Sequence, residues 1–470
     1  FIDRTASLVI AIASSMVIAR LLSPADIGVF SVVMVLMSFL SSWRDFGAGQ
    51  YLVQEPDLTD DRIRAVWTLQ LCIGAGLALI ALATSGLVAR FYNEPRMAPI
   101  MWLLALSYLI NPFGSLTYAW LMRTMRFEAL TLMRASAALS GAAVSIGCAW
   151  TGLGAISLAW GSLASIVGNA LVSLFFRPRG FPLLPGLREV RRVLQFGTRL
   201  TSSSLIETAA KGAPELILGK LQGMSAVGQF SRANGLLSML TTLVTDAVGS
   251  VALPMFARQR REGGDMGHAF VRGNGYMTVV CWCFAAYLGV MAGPMILLLY
   301  GPQWTEAVDV ARWLAVSMLL AGPATLSFQV LVGAGAADRL PRTMLIVATC
   351  TVMSATWGAR HGAVSMAIGL CAGTSAATLV WLREVHQAVG FDLRLWSGTL
   401  VRSAVVAAGT ATPAMAGMLW VGWMPEQPVL MVALTAVGGA LAFVATVLAI
   451  GHPIADEIRP VLSRLRQRQG

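Results

Sequence analysis

Three charged side chains at four-residue intervals, Glu207, Lys211 and Glu215, lie within residues 197–220, a stretch with the length of a membrane span. On a helix this spacing places all three on one face. A charge at the bilayer centre costs roughly 2.5–3.5 kcal/mol on insertion scales, so this face is predicted to line a water-filled cavity. Two interpretations stay open: a ladder of ion pairs that neutralises itself, or a lysine that binds an anion.

Basic residues elsewhere add to this candidate site. Lys211 and Arg232 are the basic residues most clearly inside the predicted membrane region, and Arg20 and Lys220 occupy matching places at the outer ends of the first and seventh spans. Lys and Arg donate charge-assisted hydrogen bonds to phosphate oxygens. These four residues are therefore candidates for binding an anionic substrate, above all a diphosphate. The alternative for Arg232 is a helix-end residue whose charge extends to the interface.

Acidic residues form a second candidate set. Asp246 lies deep in the eighth predicted span, and Glu207 and Glu215 lie in the seventh. Carboxylates inside a membrane protein mark proton or cation pathways. We predict that these three acids line the cavity or bind a coupling cation, H⁺ or Na⁺. A hydrogen-bonded structural role is the alternative for Asp246.

The composition defines the class of protein that must position these residues. Of 470 residues, 56% are hydrophobic and 12% charged, against about 25% charged in soluble domains; the mean hydropathy is +0.70. This predicts an all-α polytopic membrane protein. The four His show no metal-ligand spacing, and no Walker or GxSxG motif is present, so we expect no metal, no cofactor and no enzyme activity.

Apolar runs separated by charged turns predict about fourteen transmembrane helices. The candidate spans are 5–22, 27–43, 65–89, 98–121, 130–150, 153–176, 197–219, 226–256, 274–299, 307–334, 343–359, 362–382, 397–420 and 428–450. With the N-terminus placed in the cytoplasm, 25 of the 34 Lys and Arg fall on the cytoplasmic side and 6 on the other. The asymmetry predicts that both termini are cytoplasmic. It also accounts for the net charge of +11 without nucleic acid.

An internal repeat divides the chain. Arg20-Leu21 and the segment 27–31 recur 200 residues later, and the segment 154–159, GAISLA, recurs as 362–367, GAVSMA. A repeat of six helices puts both copies in one orientation, related by a pseudo-two-fold axis along the membrane normal. The predicted domains are a six-helix lobe, a cytoplasmic linker, a second six-helix lobe, and two extra helices with a basic tail: 1–176, 177–196, 197–390 and 391–470.

Several segments, in order, resemble bacterial polysaccharide-transport proteins: ARLLSPADIGVFSVV, RDFGAGQYLVQEPDLT, ARFYNEP, LMRTMRF, ILGKLQGMSAVGQFSRA, LPMFAR and YGPQW. The resemblance covers about residues 1–390. It is to Wzx-like lipid-linked oligosaccharide flippases of the multidrug/oligosaccharidyl-lipid/polysaccharide exporter superfamily. It implies 12–14 helices in two lobes and alternating access.

The resemblance further implies movement of undecaprenyl-diphosphate-linked sugar units across the bacterial inner membrane, for exopolysaccharide or O-antigen synthesis. The expected partners are the lipid-linked oligosaccharide, membrane lipids, a coupling cation, and a polysaccharide polymerase with its chain-length regulator. One alternative is a cation-coupled drug exporter of the same superfamily. The other is a membrane polysaccharide polymerase or glycosyltransferase, which needs a large catalytic loop outside the cytoplasm; the longest polar loops, 44–64 and 177–196, are predicted to be cytoplasmic.

Overall fold

The computed structural model describes residues 2–44, 48–178, 181–182, 185–422 and 428–457, with the side chains of these residues except 2–8, 48, 50, 192, 195–204, 240–250 and 421. The described chain is helical. Its α-helices are α1 Ile2–Leu21, α2 Pro24–Arg44, α3 Ala48–Gln54, α4 Asp60–Tyr92, α5 Met97–Arg123, α6 Phe127–Trp150, α7 Ile156–Phe176, α8 Val190–Gln222, α9 Met224–Arg261, α10 Met266–Tyr300, α11 Glu306–Ala321, α12 Ser327–Gly333, α13 Leu340–Ala359, α14 Ala363–Val389, α15 Leu393–Val421 and α16 Pro428–Ile450.

The predicted all-α membrane fold is confirmed. Every one of the fourteen predicted spans coincides with a helix, the tenth with α11 and α12 together. Within the described part of the chain, nine helices are long and apolar enough to cross a bilayer. The spans outside these nine are α1, α8, α9, α13 and α15. Of these, α8 carries the charged residues from which the candidate site was inferred.

The order and ends of the helices follow the sequence repeat. The series α1, α2, α4, α5, α6, α7 is followed by α8, α9, α10, α11 with α12, α13, α14. Asn93 ends α4 and Gly301 ends α10, both with positive φ (55° and 98°) and with N–H groups that bond to the last carbonyls of the helix. Residues with positive φ commonly terminate helices in this way. The rotation axis between the predicted lobes stays a prediction.

A network of polar side chains joins the start of α2 to the connection between α4 and α5. Ser23 and Asp26 form a capping box at the start of α2, with the Asp26 N–H 3.2 Å from Ser23 Oγ and the Ser23 N–H 3.2 Å from Asp26 Oδ2. Arg96, between α4 and α5, bonds to Asp26 Oδ1 at 2.8 Å and to Glu94 Oε1 at 2.8 Å. The hydrogen bond from Arg96, against the effect of burial, holds the pKa of Glu94 below its ordinary value. The segment ARLLSPADIGVFSVV thus meets Arg96, the residue directly after ARFYNEP, at one junction.

The tenth predicted span is broken in the structure. Pro323 follows α11 in a 3-10 turn, and because proline has no N–H and its ring crowds the preceding turn, a helix bends or stops there. Three side chains from neighbouring helices donate to the carbonyls released by this break: Trp282 to Leu319 (2.7 Å), Thr378 to Leu320 (3.0 Å) and Asn274 to Pro323 (2.7 Å). The Leu326 N–H donates to Asn274 Oδ1 at 3.1 Å. The break is therefore a fixed bend.

The chain divides into two compact units, Phe1–Gly228 and Gln229–Gly470. The boundary lies later than the predicted linker because α8 packs against α2 and α4. In the first unit α4 packs on α5, α5 on α7 and α6 on α7; in the second α10 packs on α11, α11 on α14 and α13 on α14. Each unit thus contains the same helix pairs. In the second unit α15 also packs on α10 and on α16.

The predicted linker is partly helical and partly fastened to the first unit. α8 begins at Val190, inside the predicted range 177–196. Phe181 is buried beside Trp67, and the Arg177 guanidinium lies over both rings at 5.6 and 5.7 Å. Thr68 Oγ1 lies 2.8 Å from the Gly186 N–H and 2.9 Å from the Gly186 carbonyl. Burial lowers the pKa of Arg177.

Candidate functional site

Helix α8, which carries most of the candidate residues, lies antiparallel along α2. Thr208 Oγ1 is 3.0 Å from Ser42 Oγ. Further along, a Cβ added at Gly212 would lie 2.3 Å from Val35 Cγ1, and one added at Gly219 would lie 3.0 Å from Val32 Cγ2. Glycine permits the helices to approach this closely because it has no side chain. This packing fixes which face of α8 is covered.

The charged triplet of α8 is divided between two environments. Lys211 Nζ donates to Glu207 Oε1 at 2.6 Å, and both side chains are exposed, by 76% and 54%. Glu215 is half-buried, and among the described residues it makes no hydrogen bond or ion pair. A four-residue step turns an α-helix about 40° past a full turn, so Glu207 and Glu215 point about 80° apart. The three side chains therefore span about 80° of one face, and along that face the helix carries Glu215 towards the covered side.

The two basic residues in the last turns of α1 and α8, Arg20 and Lys220, differ in their surroundings. Lys220 Nζ donates to the carbonyl of Phe91 in the last turn of α4 and lies 4.3 Å from the centre of the Phe91 ring. A cation at the end of a helix whose last carbonyls lack intrahelical partners is stabilised by the helix dipole. Arg20, its counterpart 200 residues earlier, is exposed at the end of α1.

The structure places Arg232 in an aromatic setting within the second unit. Its Cζ lies 5.5 Å from the Tyr300 ring centre and 5.8 Å from that of Trp304, which is fully buried. One turn earlier on α9, Gln229 Nε2 donates to the Gln303 carbonyl at 3.0 Å. Both contacts fasten α9 to the YGPQW turn. A guanidinium this close to two aromatic rings is attracted to them by a cation–π interaction.

The remaining predictions are placed only in part. Asp246 lies in α9, and its side chain is outside the described residues. No group of three His, Cys, Asp or Glu that could hold a metal ion occurs in the described ranges. The structure brings Lys211 to Glu207, Lys220 to Phe91, and Arg232 to two aromatic rings.

Sequence reasoning misses the aromatic partners of Arg232 as site residues, although the motif YGPQW belongs to the family resemblance. Tyr300 and Trp304 are about 70 residues from Arg232 in sequence, so helix periodicity gives no sign of the contact. The sequence does contain one sign of this contact: SRA, which includes Arg232, and YGPQW, which includes Tyr300 and Trp304, both belong to segments of the family resemblance. A basic residue in an apolar helix and an aromatic turn at the end of another are natural cation–π partners.

Comparison with known sequences finds relatives named for the biosynthesis or transport of polysaccharides. The succinoglycan biosynthesis transport protein ExoT of Rhizobium meliloti (strain 1021) is 26% identical over 372 residues, 77% of this chain and 74% of that protein. The lipopolysaccharide biosynthesis protein WzxC of Escherichia coli (strain K12) is 23% identical over 311 residues, 65% of this chain and 62% of that protein. The resemblance to Wzx-like proteins is thus confirmed.

Comparison with solved structures shows the fold. The lipid II flippase MurJ in an inward closed conformation matches with a TM-score of 0.75 at 12% identity, covering 97% of this chain and 99% of that one. An inward-facing multidrug resistance MATE family transporter of the MOP superfamily matches with a TM-score of 0.67 at 14% identity, covering 82% and 94%.

The family is decided by the sequence match. The model of the family described as polysaccharide biosynthesis protein matches residues 17–309, which is more than half of the chain. That range contains α8, its ion pair, and Arg232 with its aromatic partners. The chain belongs to the polysaccharide biosynthesis protein family.

Proposed function

We propose that this protein moves undecaprenyl-diphosphate-linked oligosaccharide units across the bacterial inner membrane by alternating access, for exopolysaccharide or O-antigen synthesis. Membership of a polysaccharide biosynthesis family and a relative named for succinoglycan transport support this. A fold shared with a lipid II flippase agrees with it. The observation that carries the proposal is the exposed Lys211–Glu207 pair on α8, a helix of membrane-spanning length. Such a pair requires polar surroundings, which a hydrophilic headgroup provides.

Lys211 is the principal residue proposed to bind the diphosphate. An ammonium has three N–H groups, and one of them bonds to Glu207, so two are available to phosphate oxygens. Arg232, whose guanidinium lies beside the Tyr300 and Trp304 rings, is proposed as a second phosphate ligand. Arg20 and Lys220 are proposed to meet the diphosphate at the outer ends of α1 and α8.

Glu215 is proposed to bind the coupling cation, H⁺ or Na⁺. Its carboxyl is half-buried and lacks an ion-pair partner among the described residues, so its charged form gains no compensation from the protein. A bound proton or cation removes that cost. Glu207, which already pairs with Lys211, and Asp246 are the other acids proposed for the cavity.

The chain is a multi-pass membrane protein, and its relatives support transport rather than enzyme activity. Both termini are proposed to be cytoplasmic, with lobes at 1–176 and 197–390 related by a two-fold axis. A polymerase and a chain-length regulator are the proposed partners. The fold is also shared with a multidrug transporter, so a cation-coupled drug exporter is the alternative function. A drug exporter moves no diphosphate lipid and would not need Lys211 for that purpose.

The test is a set of substitutions in the α8 ion pair. Lys211→Ala and the double variant Glu207→Gln with Lys211→Ala are expected to accumulate normally and to lose the appearance of lipid-linked sugar at the outer leaflet. Lys211→Arg keeps the charge with a different geometry, so partial activity is expected. Abundance in the membrane and outer-leaflet accessibility of the lipid-linked sugar are the two measurements.

A matched control pair lies at the end of α9. Arg258 and Glu262 form an ion pair of the same i,i+4 spacing at 2.7 Å, exposed by 72% and 56%. The double variant Arg258→Ala with Glu262→Gln is expected to flip normally. Full flipping by the Glu207/Lys211 double variant would show that Lys211 only neutralises Glu207, and would remove its proposed role in binding the diphosphate.

A further inference from the structure

Two glycines at the same place in the sequence repeat meet each other in the structure. Gly28 lies in the first turns of α2 and Gly228 in the first turns of α9, 200 residues apart. A Cβ added at Gly28 would lie 1.8 Å from the Met224 carbonyl oxygen, and one added at Gly228 would lie 1.9 Å from the Pro24 carbonyl oxygen. We call these four residues, all within the first unit, the glycine crossing.

The glycine crossing is reciprocal. Pro24 lies four residues before Gly28, and Met224 lies four residues before Gly228, so Pro24 and Met224 are also 200 residues apart. Gly28 faces the carbonyl of Met224, and Gly228 faces the carbonyl of Pro24. A contact in which the same two positions meet from both sides is what a two-fold axis through it produces. The repeat glycines therefore lie where the local two-fold axis of the α2 and α9 turns passes.

The crossing consists of backbone against backbone. Helices that approach this closely are held by van der Waals contact and weak Cα–H···O interactions, each small. Asp26, in the same turn of α2, is engaged with Ser23 and Arg96 of the first half. Separating the two turns would leave that ion pair intact.

Other glycines of the same helices do not share this environment. Gly235, two turns further along α9, has no atom within 4 Å of an added Cβ. Gly212 and Gly219 of α8 face valine side chains, which are able to shift, rather than carbonyl groups. Close backbone contact on both sides is thus particular to the glycine crossing among these positions.

We propose that the glycine crossing is the outer latch of the transporter: closed as in this structure, it seals the outer ends of α2 and α9, and it parts when the outer side opens. The proposal rests on the alternating access proposed above. A latch must form in one state and break in another, and close contacts between two backbones, each of them weak, suit it. Because only glycine fits on either side, any side chain at Gly28 or Gly228 opposes closure.

The experiment measures opening directly. Met224 is 7% exposed, so Met224→Cys places a thiol under the closed latch, where a membrane-impermeant maleimide added outside cells reaches it only after opening. Adding Gly28→Ala or Gly228→Ala is expected to raise the labelling rate by about tenfold or more and to abolish flipping. The double alanine variant is expected to label no faster than either single variant, because one methyl group already separates the turns. Gly235→Ala is the matched control, with unchanged labelling and flipping; a parent lacking Met224→Cys gives the background.

Two results would overturn the latch. One is slow labelling with normal flipping in both alanine variants, because the crossing would then not need glycine. The other is a combination of two observations: both alanine variants are lost from the membrane, and Met224→Cys is labelled at the same rate whether or not cells make lipid-linked sugar. The crossing would then be a permanent packing contact that never opens. Labelling does not depend on which lipid is moved, so failure of the latch and failure of the diphosphate role of Lys211 give separate results.

Discussion

His452, just after α16, is a buried histidine with both ring nitrogens in use. It is 1% exposed; the Ile454 N–H donates to Nδ1 at 3.2 Å, and Nε2 lies 3.1 Å from Ser403 Oγ. The Ser403 hydroxyl donates to the Thr399 carbonyl, so Nε2 carries the proton and donates to Oγ. The ring is therefore neutral. Burial, and then the charge of Arg402, lower the pKa of His452 to about 4.

This histidine predicts a loss of stability in mild acid. An unfolded histidine has a pKa of about 6.5, so between that pH and about 4 the unfolded state binds a proton that the folded state does not. The free energy of unfolding should therefore fall as the pH drops through this window. Melting temperatures of purified protein at pH 7.5, 6 and 5 test it. His452→Gln, which keeps an N–H donor, should flatten the decline, and an unchanged decline in that variant would contradict the assignment. Glu94, with its lowered pKa, acts only at lower pH.

At the scale of elements, α3 shows what helix periodicity cannot predict. It has seven residues, Ala48–Gln54, in a segment that the sequence assigned to a cytoplasmic loop. Seven residues are fewer than an isolated helix needs, so its stability must come from tertiary contacts. Arg123, at the end of α5, supplies one: its guanidinium donates to the carbonyls of Leu52, Glu55 and Pro56.

Removing this arginine should destabilise the first unit. Arg123→Ala leaves the carbonyls at the end of α3 without their donor, a loss of about 1–3 kcal/mol. Thermal melting of the purified protein is the measurement, and Arg123→Lys should recover part of the loss. Arg126→Ala, at an exposed position in the following turn, is the control and should melt like the parent. Equal melting of the Arg123 and Arg126 variants would refute a role for Arg123 in holding α3.

Several elements were predicted correctly because their signals are local. Long apolar runs gave the spans, and the recurring GAISLA and GAVSMA segments marked the starts of α7 and α14. The bend after α11 depends on Asn274 and Thr378, each about 50 residues away, so the sequence predicted one uninterrupted span. For the charged triplet, the direction of drift around α8 was calculable, but which face α2 covers was not.

The whole molecule carries an asymmetry of charge that predicts its orientation. With 25 of 34 Lys and Arg assigned to one side, a reporter enzyme active only outside the cytoplasm should be inactive after Gly264, between α9 and α10, and at the C-terminus. The same reporter placed after Glu94, between α4 and α5, should be active. Activity at the C-terminus would reverse the proposed orientation. Expression of each fusion, checked by immunoblot, controls for unstable products.

The packing of α8 on α2 also determines where the chain could be divided into two genes. A division in the linker would put α8 on the second polypeptide and Phe181 on the first, so the fragments would have to rebuild the α2–α8 contact on meeting. A division at Gly223, an exposed residue with φ of 84° between α8 and α9, keeps that contact within one fragment. The first polypeptide then ends after α8. The best point for dividing the chain into two polypeptides therefore lies one helix later than the boundary of the sequence repeat, after α8 instead of before it.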